Sequence, residues 1–499
     1  MAFRPFRITI ALLTVVVLGA GTLTARASPP TAPSTPSTAQ DKRGTAEPPV
    51  LKWTPCSGTF QCAGARVPAD HSAPRGPTLG VGLIKMPVRD PARRIGTLFV
   101  STGVVGGVSF VQAAGPSLLA DLNQRFDIVG IDQRGTGTSE PAMRCSTYEQ
   151  DRQIEKPLVA DHSGAREQFV RQARALNDLC VQRGGPLLRK LGTTEAAHDL
   201  DLLRRAVGDR QLNFLGLSYG TLLGQYYAAQ YPGRVRTMVL DGVQPADLSV
   251  RDPLRLDREM FAAAEAGLKN LFDWCRRTPD SCRFGDGAPE AAFDTLVRRL
   301  DANLTTHPGR HDLVTGGVLL GEAFQALAEP ALWSAFAARL SQLSAAPLPT
   351  RALPSGENAV LAGYLGNTCV DQETPPDLTV HDRHARAAAE AAPRIGRFGA
   401  YAQVKCGLWP VESAHHRGPW THQGDTPLLV VNNTRDPYAP RAWAKKILRD
   451  TGNARLLDVR GPGHLAFGRS ACVNKAVIGY LTDIRLPARG SNCSTPLPN

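Results

Sequence analysis

Short apolar segments alternate with amphipathic segments along most of this chain, and this alternation limits the fold more than any other feature. The segments "LGVGLIKMPV", "GTLFVS", "FDIVGID", "LNFLG", "VRTMVLDG", "PLLVVNN" and "ARLLDVRG" have the length and composition of buried strands. Between them, stretches such as residues 194–207 repeat apolar side chains every three or four positions, as a helix packed on a sheet does. The pattern predicts an α/β fold, with a mostly parallel sheet covered by helices on both faces.

The alternation is interrupted once, and the interruption divides the chain into a core and an insertion. It stops after about residue 245 and resumes near residue 426, and the part between is rich in Ala and Leu and mainly helical in pattern. We therefore interpret residues 246–425 as a helical cap inserted into an α/β core of residues 50–245 and 426–499. A chain of 499 residues is too long for one small core, which by itself suggests either one large domain with an insertion or two domains.

The first 49 residues are expected to lie outside this core. Residues 1–27 combine a cationic start, the apolar run "ITIALLTVVVLGAG" and a small-x-small site ending at Ala27, which is the pattern of a secretory signal peptide. The run is shorter than the roughly 20 residues of a spanning helix, so we expect no stable membrane anchor after cleavage. Residues 28–49 are rich in Pro, Ser and Thr and are predicted to be a disordered leader. The mature protein is predicted to be secreted and extracellular.

The cysteines agree with export. The chain has 10 cysteines and none lies in a Cys-x-x-Cys pair, which in an exported protein indicates disulfides rather than a metal or redox site. Counting alone leaves the connectivity open. Close spacing makes Cys56–Cys62 and Cys275–Cys282 plausible small loops. The simplest completion then pairs Cys145–Cys180, Cys369–Cys406 and Cys472–Cys493.

Charge and histidine placement exclude other classes of function. The formal net charge is +12, but the basic residues are scattered, without a Lys/Arg run or interleaved aromatic residues. We therefore expect no nucleic-acid partner. No histidine forms a ligand set with nearby carboxylates, so no metal site is predicted.

One stretch, "NFLGLSYGTLLG" at residues 213–224, contains the candidate nucleophile. Gly-x-Ser-x-Gly alone is a weak signal, but here the predicted strand "QLNFLG" precedes Ser218 and the predicted helix "YGTLLGQYYAAQYP" follows it. A nucleophile elbow requires this order, because the glycines avoid clashes in the sharp turn and the turn raises the hydroxyl at the carboxyl edge of the sheet. We interpret Ser218 as a nucleophile rather than an ordinary turn serine.

A serine hydroxyl needs a base, and the base needs an orienting acid. In this kind of fold these partners follow the serine in the order acid, then histidine. Asp436 comes just after the late strand "PLLVVNN", and His464 comes just after "ARLLDVRG". Alone, each is equally well read as an ordinary loop residue. Together with Ser218 they form a candidate catalytic triad.

At this point the sequence resembles a known family, the secreted actinobacterial tripeptidyl aminopeptidases, which are α/β-hydrolases related to prolyl aminopeptidases. The resemblance runs from about residue 51 to the C-terminus and is carried by "FDIVGIDQRGTGTSEP", "LNFLGLSYGTLLGQYYAAQYPGRV", "NTRDPYAP" and "GPGHLAFGRSACVNKAVIGYLTDIRLPARGSNC". It implies an α/β-hydrolase fold with Ser218, Asp436 and His464 as the triad. It also implies that the cap helps to form a cleft taking a peptide by its free amino end.

The loop that would complete the oxyanion site departs from this family. The family usually has Gly-Gly-Pro-Gly after the strand "GTLFV", whereas this chain has "STGVVGGVS", with Val104 and Val105 where Gly and Pro would stand. A backbone N–H remains at Val104, but a β-branched residue resists a positive φ. We expect the backbone N–H groups of Tyr219 and Val104 to bind the oxyanion. The departure weakens the expectation for amide substrates more than for activated esters.

An exopeptidase must also bind the ammonium group of its substrate, which calls for a carboxylate in the cleft. Asp371 and Glu373, in "NTCVDQE", are the candidates, because Cys369 beside them can be tethered to Cys406. The alternative is that this segment is a solvated loop of the cap.

Three functions follow from these residues. The first is an exported serine aminopeptidase that releases short N-terminal peptides through an acyl-enzyme, without a cofactor. The second is an exported esterase or amidase that acts on a small molecule with the same triad. The third is a catalytically silent binding protein on a hydrolase scaffold. The expected partner is accordingly a peptide or a small-molecule ester or amide.

Overall fold

The computed structural model describes residues 46–103, 106–150, 165–307, 310, 312–352, 359–399, 401, 403–411 and 415–496. The predicted signal peptide and most of the predicted leader lie outside these residues. The described strands form one sheet in the order β1-β2-β3-β5-β4-β6-β7-β8-β9-β10. Their bounds are β1 (Thr54–Ser57), β2 (Phe60–Pro68), β3 (Thr78–Met86), β4 (Gly96–Ser101), β5 (Phe126–Asp132), β6 (Leu212–Leu217), β7 (Val235–Asp241), β8 (Leu428–Arg435), β9 (Ala454–Pro462) and β10 (Asn492–Ser494).

The direction of pairing changes once across the sheet. The pairs β1–β2, β2–β3 and β3–β5 are antiparallel, and every later pair, from β5–β4 to β9–β10, is parallel. The carboxyl ends of β4, β6, β7, β8 and β9 therefore meet at one edge, where ligands bind in open parallel sheets. The predicted mostly parallel sheet is confirmed.

Helices cover both faces of the sheet and fill the chain between β7 and β8. The α-helices of the described residues are α1 (Gly107–Leu118), α2 (Ala165–Gly184), α3 (Thr193–Ala206), α4 (Gly220–Gln230), α5 (Ala246–Arg251), α6 (Pro253–Arg277), α7 (Pro279–Cys282), α8 (Pro289–Thr306), α9 (Gly316–Ala328), α10 (Trp333–Ala345), α11 (Ala359–Asp371), α12 (Leu378–Ala391), α13 (Ile395–Phe398), α14 (Val404–Gly407), α15 (Arg441–Thr451) and α16 (Ala471–Asp483). None of these helices has the length and apolar character that crossing a lipid bilayer would require.

Alternate side chains of one strand enter two different cores. In β4, Phe99 packs with Leu200 of α3 and Leu223 of α4. Val100 points to the opposite face and packs with Val111 of α1. Because both faces are covered, the central strand "LNFLGL" is buried at every position, which is why it shows no apolar–polar alternation.

The helices between β7 and β8 have an apolar core of their own. Phe261, Phe272, Phe293 and Trp333 are fully buried in it. Tyr438, which follows β8, belongs to the same cluster and so joins the insertion to the sheet. The inserted helices therefore pack against the segment that follows β8.

Five disulfides join the ten cysteines. The bonded pairs are Cys56–Cys62, Cys145–Cys180, Cys275–Cys282, Cys369–Cys406 and Cys472–Cys493. These are the same five pairs that the sequence analysis lists. Cys369–Cys406 ties the C-terminal turn of α11 to α14, beside the segment that holds Asp371.

Candidate active site

Ser218 lies in the sharp turn between β6 and α4. Its φ is +54°, a conformation that residues other than glycine seldom adopt. The turn is held by backbone bonds, because the N–H of Ser218 donates to the carbonyl oxygen of Asp241 and the N–H of Thr221 donates to that of Ser218, each over 2.9 Å. A Cβ at Gly220 would stand 2.1 Å from the carbonyl oxygen of Ser101, so only glycine lets α4 begin this close to β4.

The loops after β8 and β9 bring Asp436 and His464 to this serine. Nε2 of His464 lies 2.7 Å from Oγ of Ser218, and Nδ1 lies 3.0 and 2.9 Å from the two carboxylate oxygens of Asp436. Because a carboxylate accepts hydrogen bonds, Nδ1 carries the ring proton and donates it. The lone pair of Nε2 is thus free to accept the hydroxyl proton of Ser218, which is the geometry of a general base beside a nucleophile.

The turn after β8 orients the Asp436 carboxylate. Its side chain is fully buried, and Oδ1 accepts the N–H groups of Tyr438 (2.8 Å) and Ala439 (2.9 Å). The Tyr438 hydroxyl donates in turn to the carbonyl oxygen of Phe324 in α9, over 2.5 Å. Burial raises the pKa of Tyr438 well above its usual range, so this hydroxyl keeps its proton. A helix of the insertion therefore holds the loop that carries the acid.

The same helix holds the loop that carries the histidine. The N–H of His464 donates to the carbonyl oxygen of Ala328, the last residue of α9, over 2.8 Å. The His464 ring also lies 4.9 Å, centroid to centroid, from the ring of Tyr438. The inserted helices thus help to hold both loops that carry the candidate triad residues.

The backbone N–H of Tyr219 lies directly after the nucleophile, at the start of α4. Gly103, with a φ of +76°, packs against this residue, since a Cβ there would stand 2.6 Å from Cδ1 of the Tyr219 ring. The N–H of Gly106 donates to the carbonyl oxygen of Gly103 over 3.3 Å, so these two glycines lie close together beside the Ser218 turn. Val104 and Val105, between them in the sequence, lie outside the described residues.

Asp371 is the last residue of α11, the helix whose Thr368 bonds to the Tyr219 hydroxyl over 3.1 Å, and it is buried. Both of its carboxylate oxygens lie 3.0 Å from the N–H of Thr193, the first residue of α3. Burial raises the pKa of Asp371 to about 6. Burial, and secondly the charge of Asp371, raise the pKa of Tyr226 well above its usual range. The Tyr226 hydroxyl is buried and has no hydrogen-bond partner within the described part of the chain.

Glu373, two residues further on, is in a different environment. Its side chain is partly exposed, and its carboxylate lies 2.6 Å from Nε of Arg417 and 3.2 Å from Nε2 of His415. Its charge is thus already compensated by a guanidinium. Asp371 and Glu373 are equivalent candidates in the sequence, but in the structure Asp371 is buried against a backbone N–H, whereas Glu373 is partly exposed and paired with Arg417.

Two further buried carboxylates near the site were not singled out from the sequence. Asp241 ends β7, and a polar residue at the end of a predicted parallel strand was an available signal for it. Asp257 lies on α6, accepts one bond from Nε2 of Gln403 (3.3 Å), and has a pKa that burial raises well above its usual range. It also contributes, after burial, to the raised pKa of Tyr364. A single Asp in an amphipathic helix carries no sequence signal of this kind.

A nucleophile elbow at the carboxyl edge of a mostly parallel sheet, with inserted helices over that edge, defines an α/β-hydrolase. Family models agree with this class. Residues 100–296 match the model described as alpha/beta hydrolase fold, and residues 392–493 match that of the TAP-like proteins.

Relatives extend the likeness over nearly the whole chain. Carboxylesterase B of Mycobacterium tuberculosis is 30% identical over 515 residues, covering 94% of this chain and 95% of that protein. Serine protease Hip1 of the same species is 29% identical, covering 89% and 91%. Tripeptidyl aminopeptidase of Streptomyces lividans is 27% identical, covering 90% and 88%. The chain belongs to the TAP-like family of α/β-hydrolases and is a serine hydrolase, so the resemblance seen in the sequence is confirmed.

Proposed function

We propose that this serine hydrolase is an exported aminopeptidase that releases short peptides from the free N-terminus of its substrates, with Ser218, His464 and Asp436 as its triad. The proposal rests on one observation, the continuous chain of hydrogen bonds from the Ser218 hydroxyl through the imidazole to a fully buried carboxylate. The names of two relatives, a serine protease and a tripeptidyl aminopeptidase, support the peptidase activity. The disulfides support export, because such bonds persist in oxidising compartments.

In the proposed mechanism, Oγ of Ser218 attacks the substrate carbonyl carbon while Nε2 of His464 takes the hydroxyl proton. Asp436 stabilises the imidazolium that forms. The imidazolium then gives its proton to the leaving amine, the C–N bond breaks, and an acyl ester remains on Ser218. Water attacks this ester with His464 again acting as base, and the released acid leaves Ser218 as it began. These steps need no cofactor.

We propose that the N–H groups of Tyr219 and Val104 bind the oxyanion of the tetrahedral intermediate. The placement of the residues on either side supports this role, because Gly103 packs against Tyr219 and Gly106 bonds back to Gly103. Removing one such donor typically costs about 10²–10³-fold in kcat.

Gly103→Ala is therefore expected to lower kcat by about 10²–10³-fold, because the methyl group would meet the Tyr219 ring and displace the residue next to the proposed donor. The measurement is steady-state kinetics on a nitrophenyl ester. The matched control is Gly208→Ala, which has a similar φ of +81° but nothing within 4 Å of the added Cβ. Equal kcat in the two variants would contradict the assignment.

We propose Asp371 as the carboxylate that binds the substrate ammonium group. It is buried at the end of the helix whose Thr368 bonds to the Tyr219 hydroxyl, and both of its oxygens share one neutral N–H partner. The buried hydroxyl of Tyr226, which has no hydrogen-bond partner among the residues that the structure describes, has a pKa that burial, and secondly the charge of Asp371, raise. Glu373 remains the second candidate from the sequence, although its bond to Arg417 competes with an ammonium ligand.

Asp371→Asn is expected to raise KM for free-amine tripeptide anilides by about 10- to 100-fold, the effect of losing a hydrogen bond between charged groups. Kinetics on an N-acylated ester should change little, because that substrate has no ammonium group. Glu373→Gln and Asp257→Asn are the matched variants, each making the same chemical change at a nearby carboxylate. A selective rise in KM in either of them, and not in Asp371→Asn, would move the assignment to that residue.

The ammonium site also predicts a pH dependence. Burial raises the pKa of Asp371 to about 6, so lowering the pH from 7 to 5 protonates it and removes the negative charge that pairs with the ammonium group. We expect KM for free-amine peptides to rise across this window relative to KM for an N-blocked ester. The Asp371→Asn variant should lose this difference, and a difference that persists in the variant would contradict the assignment.

A second candidate function is an exported esterase or amidase that acts on a small molecule. It is favoured by the valines in the oxyanion loop and by the relative named Carboxylesterase B. A panel of tripeptide anilides and short-chain nitrophenyl esters separates the two candidates. Turnover of the esters alone would support the esterase and contradict the aminopeptidase.

A further inference from the structure

We propose that Asp241 is a positioning residue for catalysis, which holds the histidine loop (residues 463–467) against the turn that carries Ser218. The inference rests on the triad chemistry proposed above and concerns a residue that does not touch the substrate. Asp241 ends β7, which lies between the nucleophile strand β6 and the acid strand β8. It is fully buried at the carboxyl edge of the sheet.

Asp241 contacts both catalytic segments through different groups. Its carbonyl oxygen accepts the N–H of Ser218 at 2.9 Å. Its carboxylate accepts the N–H of Ala466, at 3.2 and 2.9 Å from the two oxygens, and the N–H of Phe467 at 2.8 Å. One residue thus joins the turn that carries the nucleophile to the loop that carries the base.

Both of these segments contain a non-glycine residue with a positive φ. The angle is +54° at Ser218 and +67° at Leu465, directly after the catalytic histidine. Such conformations persist only where surrounding contacts hold them. Nδ2 of Asn433 holds the carbonyl oxygens of Gly463 and Leu465, and the Asp241 carboxylate holds the two amides that follow. Without the carboxylate, those amides lose their acceptor and the loop is free to relax, which displaces the imidazole.

The negative charge of Asp241 strengthens its hydrogen bonds to the amides of Ala466 and Phe467. Charge-assisted bonds from amides to a carboxylate are stronger than bonds to a neutral acid. Burial raises the pKa of Asp241 to about 6, against the opposing effect of the two amide bonds. The titratable groups that face it are His464 and Asp436, on the two catalytic loops, whereas its partners on β6 and β8 are the apolar Leu217 and Val431. Lowering the pH through about 6 therefore weakens the bonds to the histidine loop.

Asp241→Asn tests the inference, because Asn keeps the size of the side chain and removes its charge. We expect kcat to fall by about 10²-fold, the effect of a misplacement of about 1 Å in a catalytic group, with KM almost unchanged. Labelling of Ser218 by a fluorophosphonate should slow in parallel. The acid limb of the pH profile of kcat for an ester should lose one ionisation, because the variant no longer has a carboxylate to protonate at residue 241.

The matched control is Asp209→Asn, at the opposite edge of the sheet. Asp209 is also a carboxylate that accepts a backbone amide, that of Thr97 at 2.7 Å, and burial raises its pKa as well. We expect kcat and the acid limb to be unchanged in this variant. Equal losses in both variants would reduce Asp241 to a structural residue and overturn the inference.

A measurement on the wild-type protein keeps the inference testable if Asp241→Asn does not fold. Hydrogen exchange at the amides of Ala466 and Phe467, corrected for intrinsic rates, should lose protection as the pH falls from 7 to 5, whereas β6 amides should not. Protection that does not change would overturn the inference. A wild-type protein that neither hydrolyses esters nor reacts with the fluorophosphonate would instead contradict the proposed function.

Discussion

Ser218→Ala is expected to lower kcat by on the order of 10⁶-fold, as the loss of the nucleophile does in other enzymes with this triad. In the proposed mechanism Oγ of Ser218 forms the acyl ester, and no other hydroxyl in the described residues is bonded to Nε2 of His464. The fold should be retained, because the turn is held by backbone bonds to Asp241 and Thr221 that do not involve Oγ.

The measurement is ester and anilide turnover together with fluorophosphonate labelling and Tm. Ser249→Ala is the control, since Ser249 is also buried and its hydroxyl donates to the carbonyl oxygen of Pro245, away from the triad. Labelling should occur in the wild type and the control and be lost in Ser218→Ala. Activity that survives this substitution would contradict the mechanism, and a wild type that is never labelled would support the silent binding protein.

Asp436→Asn has the second largest expected effect, a fall in kcat of about 10⁴-fold. Oδ1 already accepts the amides of Tyr438 and Ala439, so the oxygen of Asn should stay there and its NH₂ group should face Nδ1 of His464. The NH₂ group is a donor, so Nδ1 must become an acceptor and the ring proton moves to Nε2. The imidazole then donates to Ser218 and no longer accepts its proton.

Asp458→Asn is the control for this variant, because Asp458 of β9 forms a partly exposed ion pair with Arg441, the first residue of α15, and has no bond to the triad residues. We expect Tm to stay near that of the wild type in both variants and kcat to fall in Asp436→Asn alone. Turnover within about tenfold of the wild type in Asp436→Asn would show that the carboxylate does not set the tautomer.

The fold and the three triad candidates could be predicted from the sequence because their signals are local. A strand followed directly by Gly-x-Ser-x-Gly and a helix implies an elbow, and the carboxyl ends of late parallel strands must reach the same edge of the sheet. Ser218, Asp436 and His464 each occupy such a position, and the structure places them within hydrogen-bond distance.

The carboxylates around the triad could not be ranked in this way. Asp371 and Glu373 lie in one short segment, yet their side chains have different partners. Asp371, at the end of α11, is buried against the N–H of Thr193, whereas Glu373 is partly exposed and forms an ion pair with Arg417. Their difference depends on which distant segment packs beside each residue. Asp257 shows the same dependence, because its burial is decided by how α6 packs against the rest of the insertion.

The amino-acid sequence by itself determined the layered architecture and the class of chemistry, because periodicity and turn composition act over a few residues. The tertiary structure alone decided how the side chains of the proposed triad are held in place. The α9 carbonyl that accepts the His464 amide, the Phe324 carbonyl that accepts the Tyr438 hydroxyl, and the Asp241 carboxylate under the histidine loop all come from segments far apart in the chain. Hydrogen bonds of this kind depend on distance in space, and spacing along the sequence does not specify that distance.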